Sequence, residues 1–130
     1  LTQEPIELIL LRHWASCIET PVWIMDEGGT LLFYNEPAEL ILGQRFDEAG
    51  AIQAAELAAM FQTKNLDGSP LANDALPVVA ALQNRVPSHG QIRFKPGDRD
   101  WRDIEITALP IEGQGGRNLG VMAMFWELSS

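Results

Sequence analysis

Arg102 is the residue of this chain best placed to hold an anionic ligand. It lies in Trp101-Arg102-Asp103-Ile104-Glu105-Ile106, on the alternate set that also contains Ile104 and Ile106. The preceding alternating stretch runs from Gln91 to Lys95, with Ile92 and Phe94 on one face. Pairing the two stretches with Arg93 opposite Asp103 sets Ile92 against Ile104 and Phe94 against Arg102, and joins opposite charges on the other face. If the face with Phe94 is concave, Arg102 is a bidentate anchor for an anion such as a carboxylate. Otherwise it carries its guanidinium out to water at the end of the sheet.

The remaining chemistry-bearing residues are sparse. His13, His89 and Cys17 lie far apart and have no zinc-ligand spacing. Gly113-Gln114-Gly115-Gly116 lacks the Lys-Ser/Thr of a phosphate loop and reads as a plain hairpin loop. No Gly-x-Ser-x-Gly occurs. Asp98 and Asp100 fall in an expected turn and read as solvated carboxylates. No residue pattern supports an enzyme, and no metal site is expected.

The elements that must position these residues fit one domain of 130 residues, 46% hydrophobic and 21% charged. The formal net charge of −9 excludes a nucleic-acid partner, which a basic patch would serve, and an anionic membrane surface. Acidic residues dominate up to Asp74, opposed only by Arg12, Arg45 and Lys64. One cysteine permits no internal disulfide, so a reducing, cytoplasmic setting is expected. No apolar run approaches the roughly 20 residues of a membrane span. The chain begins at Leu1 and is read as a piece of a longer protein.

Pro5 and the apolar spacing predict a helix from Glu4 to Glu19, with Leu8, Leu11, Ala15 and Ile18 on one side and Ile6, Ile9, Leu10, His13 and Cys17 on the other. Thr20-Pro21 ends it. Val22 to Asp26 and Leu31 to Tyr34 read as a hairpin about Glu27-Gly28-Gly29-Thr30. Asn35 caps a short helix with Pro37 in its first turn and Gly43 at its end. Helices are expected over Ala51 to Gln62 and Ala75 to Asn84, separated by the Asp67-Gly68-Ser69-Pro70 turn. Strands follow over Gln91 to Lys95, Trp101 to Leu109 and Leu119 to Leu128. The order is helix, two strands, short helices, three strands: an α+β fold on an antiparallel sheet.

This order and these residues resemble the PAS family. The pieces are Val22-Trp23-Ile24-Met25-Asp26-Glu27-Gly28-Gly29, Leu32-Phe33-Tyr34-Asn35-Glu36-Pro37-Ala38-Glu39 closed by Ile41-Leu42-Gly43, Asp67-Gly68-Ser69-Pro70-Leu71, Ile104-Glu105-Ile106-Thr107-Ala108-Leu109-Pro110-Ile111, and Gly120-Val121-Met122. The resemblance implies a PAS-like five-stranded antiparallel sheet with short helices on one face over residues 20–130. Residues 1–19 correspond to the extra N-terminal helix of many members. It further implies a sensory or dimerisation module of a signalling protein, in which a ligand such as haem, flavin, a carboxylate or a lipid sits between sheet and helices.

Two cofactors are disfavoured by departures from the family pattern. The light-sensing members carry a cysteine where this chain reads Gly43-Gln44-Arg45-Phe46, and Cys17 lies upstream on another element. Covalent flavin photochemistry is thus not expected. Haem-binding members place their axial histidine on the connecting helix, and Ala75 to Asn84 has none. His89 is expected in a loop.

The pocket candidates are Met25, Phe33, Leu42, Met60, Leu82, Phe94, Arg102, Ile104, Ile106, Met122 and Met124. These side chains line a pocket or fill a core equally well, and methionine adapts to either. The reading puts Trp23, Met25, Phe33, Phe94, Met122, Met124 and Trp126 on the pocket face. Val22, Ile24, Val121, Ala123 and Phe125 then form a second apolar face that needs cover. The N-terminal helix supplies that cover within the chain, or joins a homodimer interface through Leu11, Trp14 and Ile18. The expected function is a ligand-binding or dimerising regulatory domain; the alternative is a purely structural interaction module with a filled core.

Overall fold

The computed structural model describes residues 6–43, 62–72, 75–95 and 100–128. Their elements are α1 (Ile6–Ala15), β1 (Val22–Met25), β2 (Leu31–Tyr34), α2 (Glu36–Leu42), α3 (Pro77–Asn84), β3 (Ser88–Phe94), β4 (Arg102–Glu112) and β5 (Asn118–Glu127). The strands form one sheet in the order β2-β1-β5-β4-β3, with every pair antiparallel. The helix expected over Ala51 to Gln62, the Gln44-Arg45-Phe46 motif, Met60 and Asp98 lie outside the described residues, apart from Gln62 itself.

Local chemistry sets the boundaries. In the β1–β2 turn, Asp26 Oδ1 accepts from Gly28 N at 3.0 Å and Thr30 N at 2.9 Å. Asn35 caps α2 through a hydrogen bond from Ala38 N, and Gly43 ends it in the left-handed region at φ 76°. Helix α3 starts two residues later than expected. Pro77 occupies its first turn and holds Leu76 extended at ψ 130°, outside the helix.

Strand β3 starts three residues earlier than the alternation predicts. Ser88, His89 and Gly90 have no strand pattern, but pairing with Ala108, Thr107 and Ile106 recruits them. His89 is therefore a strand residue, not a loop residue. The expected register of this pair is the observed one: Arg93 faces Asp103, Ile92 faces Ile104 and Phe94 faces Arg102. The backbone of Lys64 bonds to Arg93 on the outer edge of β3, and its ammonium lies 3.8 Å from the centre of the Trp101 ring.

Two apolar clusters flank the sheet. On the helix side, Trp23, Met25, Ile92, Phe94, Ile104, Ile106, Val121, Ala123 and Phe125 pack against α2 and α3. On the outer side, Leu8 and Ala15 of α1 pack on Val22, Ile24 and Leu119, with Leu11, Ile18, Phe33, Met122 and Met124 at the margin. The expected face of β5 is thus reversed. Residues directly opposite in an antiparallel pair share a face, and Ala123 and Val121 stand opposite Trp23 and Met25. Met122 and Met124 stand opposite Ile24 and Val22, on the outer face, and Phe33 joins them opposite Ile24. Trp126, paired with Glu105, is exposed and also leaves the pocket face.

Gly120 fixes the switch. It sits at φ +133°, and a Cβ there would lie 2.0 Å from the Met25 carbonyl oxygen. The β4–β5 register passes from Ile111–Gly120 to Glu112–Asn118. This bulge turns Leu119 under α1 while Val121, two residues on, faces the helices.

Candidate functional site: the helix side of the sheet

The candidate site is the face of the sheet that α2 and α3 cover. Strand β1 forms one of its walls and is buried along its whole length. Met25, Leu42, Phe94, Ile104 and Ile106 converge in this cluster, and Leu82 of α3 packs against it. Phe33, Met122 and Met124 belong to the opposite face. Residues that the eleven candidates left out complete the surface: Trp23, Tyr34, Val78, Val79 and Phe125. Only the β1–β5 register could have found Phe125, because β5 is apolar on both faces.

Trp23 and Phe125 are the large aromatic pair of the site, with ring centroids 5.3 Å apart at 47°. Trp23 is 8% exposed. Its Nε1 is buried and meets no acceptor among the described residues. A buried indole N–H ordinarily has a partner.

Arg102 shares the helix-side set of β4 with Ile104, but its Nη1 donates to Glu127 Oε1. Glu127 stands opposite Ile104, one diagonal step from Arg102. The guanidinium is thus paired at the end of the sheet. On the outer face, Arg93 donates from Nε to Asp103 Oδ1 at 2.7 Å and from Nη2 to Oδ2 at 3.2 Å. This fork holds the Asp103 carboxyl below the usual carboxylate range and raises Arg93, with burial opposing both. Asp67 is likewise lowered, by the hydrogen bonds it accepts from Ser69.

Asn35 ties the site to the outer helix. It is 2% exposed. Its Oδ1 accepts from Val22 N at 3.0 Å and Ala38 N at 3.2 Å. Its Nδ2 donates to Ala15 O at 2.9 Å and Thr20 O at 2.8 Å. Both lone pairs and both protons of the amide are used. One side chain therefore joins the end of α1, the start of β1 and the first turn of α2.

Leu11 and Ile18 pack on the sheet of their own chain, whereas Trp14 points outward. With Ile6, Ile9 and Leu10 it forms an exposed apolar stripe on the far side of α1. A separate cavity of about 400 Å³ lies between the start of α1 and the β4–β5 loop, lined by Ile6, Glu7, Gly113, Gln114, Arg117 and Leu119. Among the described residues no three His, Cys, Asp or Glu side chains gather to hold a metal ion. No helix among them is long and apolar enough to cross a membrane.

No family model matches the chain, and no curated protein matches it by sequence. Solved structures do. The PAS domain of a protein from Colwellia psychrerythraea superposes with a TM-score of 0.66 at 18% identity, over 93% of this chain and 96% of that one. The PAS domain of nitrogen regulation protein NR(II) from Vibrio parahaemolyticus gives 0.62 at 20% identity, over 92% and 98%. The Rhodobacter sphaeroides LOV protein gives 0.75 at 12% identity, over 96% of this chain and 69% of that one. The chain has a PAS-like fold: a five-stranded antiparallel sheet with helices on one face and a short N-terminal helix on the other.

Proposed function

We propose that this chain is the sensory domain of a larger signalling protein, that it takes a small molecule on the helix side of the sheet, and that it pairs with a second copy through α1. It carries out no chemistry of its own in this reading. Solved structures of the same fold include a nitrogen regulation protein's domain, which favours a regulatory role. The exposed Cys17 and the absence of other cysteines suit a reducing, cytoplasmic setting.

The observation that carries the reading is the Asn35 junction. A ligand that alters how α2 seats on the sheet acts on a residue bonded directly to the end of α1. If α1 has two seatings, a ligand preferring one shifts the population between them.

A second reading is a ligand-free interaction module, favoured by the exposed Ile6, Ile9, Leu10 and Trp14 stripe. Native mass spectrometry of the purified chain separates the two. The proposal predicts a dimer retaining one small molecule per chain. A bare dimer favours the interaction module, and a bare monomer contradicts both.

A further inference from the structure

Among the described residues, the indole N–H of Trp23 is the one buried side-chain polar group that meets no hydrogen-bond partner. Its ring stands on β1 opposite Ala123 and beside Phe125. It belongs to a cluster of hydrophobic side chains, Tyr34 among them, and the amide of Asn35 has no bond to spare. Indole is a donor only, so it calls for an acceptor. Leaving it without one costs the desolvation of the group.

Charge narrows the acceptor. Arg102, the candidate anion anchor of the sequence, is paired with Glu127. Arg93 is forked onto Asp103 on the opposite face. Among the described residues, a carboxylate brought into this cluster would exchange its hydration for one neutral N–H, a strongly unfavourable exchange. An uncharged carbonyl or ring nitrogen sheds far less and satisfies the indole.

We infer that Trp23 Nε1 donates to the bound molecule, and that this molecule is small and uncharged, with one hydrogen-bond acceptor on an apolar body. The inference rests on the pocket reading above.

Three probes of one shape test it: cyclohexanone, methylcyclohexane and cyclohexanecarboxylate. The readout is the indole N–H resonance of ¹⁵N-tryptophan protein, the Trp23 signal being the one lost in Trp23→Phe. Cyclohexanone is expected to move that signal downfield and to bind more tightly than the carboxylate. Its affinity should fall about tenfold in Trp23→Phe, the worth of one hydrogen bond. Methylcyclohexane should bind equally to both proteins. Replacing the Trp23 indole by the isosteric benzothienyl ring removes the N–H at constant shape and should reproduce the loss.

If cyclohexanone and methylcyclohexane bind alike and neither replacement weakens the ketone, the Trp23 inference falls while the pocket stands. Tightest binding by the carboxylate overturns the uncharged ligand class. Binding by none of the three removes the pocket reading as well.

Discussion

The two faces of the sheet are covered by different means. On the helix side, residues of all five strands close against α2 and α3, and Phe94 and Phe125 are the largest of the fully buried side chains. On the outer side, α1 and Ile18 just beyond it pack on β1 and the neighbouring parts of β2 and β5. Farther out, β3 and β4 present the Arg93–Asp103 fork to solvent. The contrast explains why β1 is apolar at every position: it is the wall both clusters share. It also explains the place of Asn35, at the point where the chain passes from one cover to the other.

The comparison breaks most readily at Gly120. Its φ of +133° and the 2.0 Å approach to Met25 O leave no space for a Cβ. Gly120→Ala should lose about 4 kcal/mol or fail to fold, combining backbone strain with a backbone clash. Urea denaturation is the measurement. A stability within about 1 kcal/mol of the parent would show that the β5 bulge does not fix the two faces.

The faces should also differ in what truncation costs. Phe125→Ala on the helix side should lose about 3–5 kcal/mol. Met122→Ala, half-buried at the margin of the α1 cluster, should lose less than about 2 kcal/mol because its cavity opens toward water. Equal losses would erase the distinction.

Strand character decides how much of the fold and site is legible in the sequence. Strands β3 and β4 alternate, and Arg93 and Asp103 fix their phase, so the residue pattern alone yields their register. Strand β5 is apolar at nearly every position, so alternation carries no phase, and only its pairing with β1 decides which side chains face the helices. That is why the residue pattern sends Met122 and Met124 to the pocket and omits Phe125. Arg102 shows the same limit: Glu127 becomes its neighbour only through the β4–β5 pairing. Asn35 is legible as a helix cap, from Glu36-Pro37 after it. Its bonds to Ala15 and Thr20 are not, because they depend on where α1 packs.

The smallest effect belongs to the Arg93–Asp103 fork. Asp103 has a lowered folded pKa, so its stabilisation is fully present above the unfolded value of about 3.9 and is lost as pH falls through the folded one. Asp103→Asn should cost less than about 1 kcal/mol at neutral pH, as expected for a partly exposed pair. Urea denaturation of the two proteins from pH 7 to pH 2 should show the gap closing over that acid range. A gap independent of pH would show that the fork is not what stabilises this end of the sheet.

Asn35 links the helix-side cover to α1. Hydrogen exchange read peptide by peptide in the parent and in Asn35→Ala tests it directly. Faster exchange is expected in both α1 and the first turn of α2, with the β3–β4 pair unchanged. Parent-like protection of α1 in Asn35→Ala would contradict it.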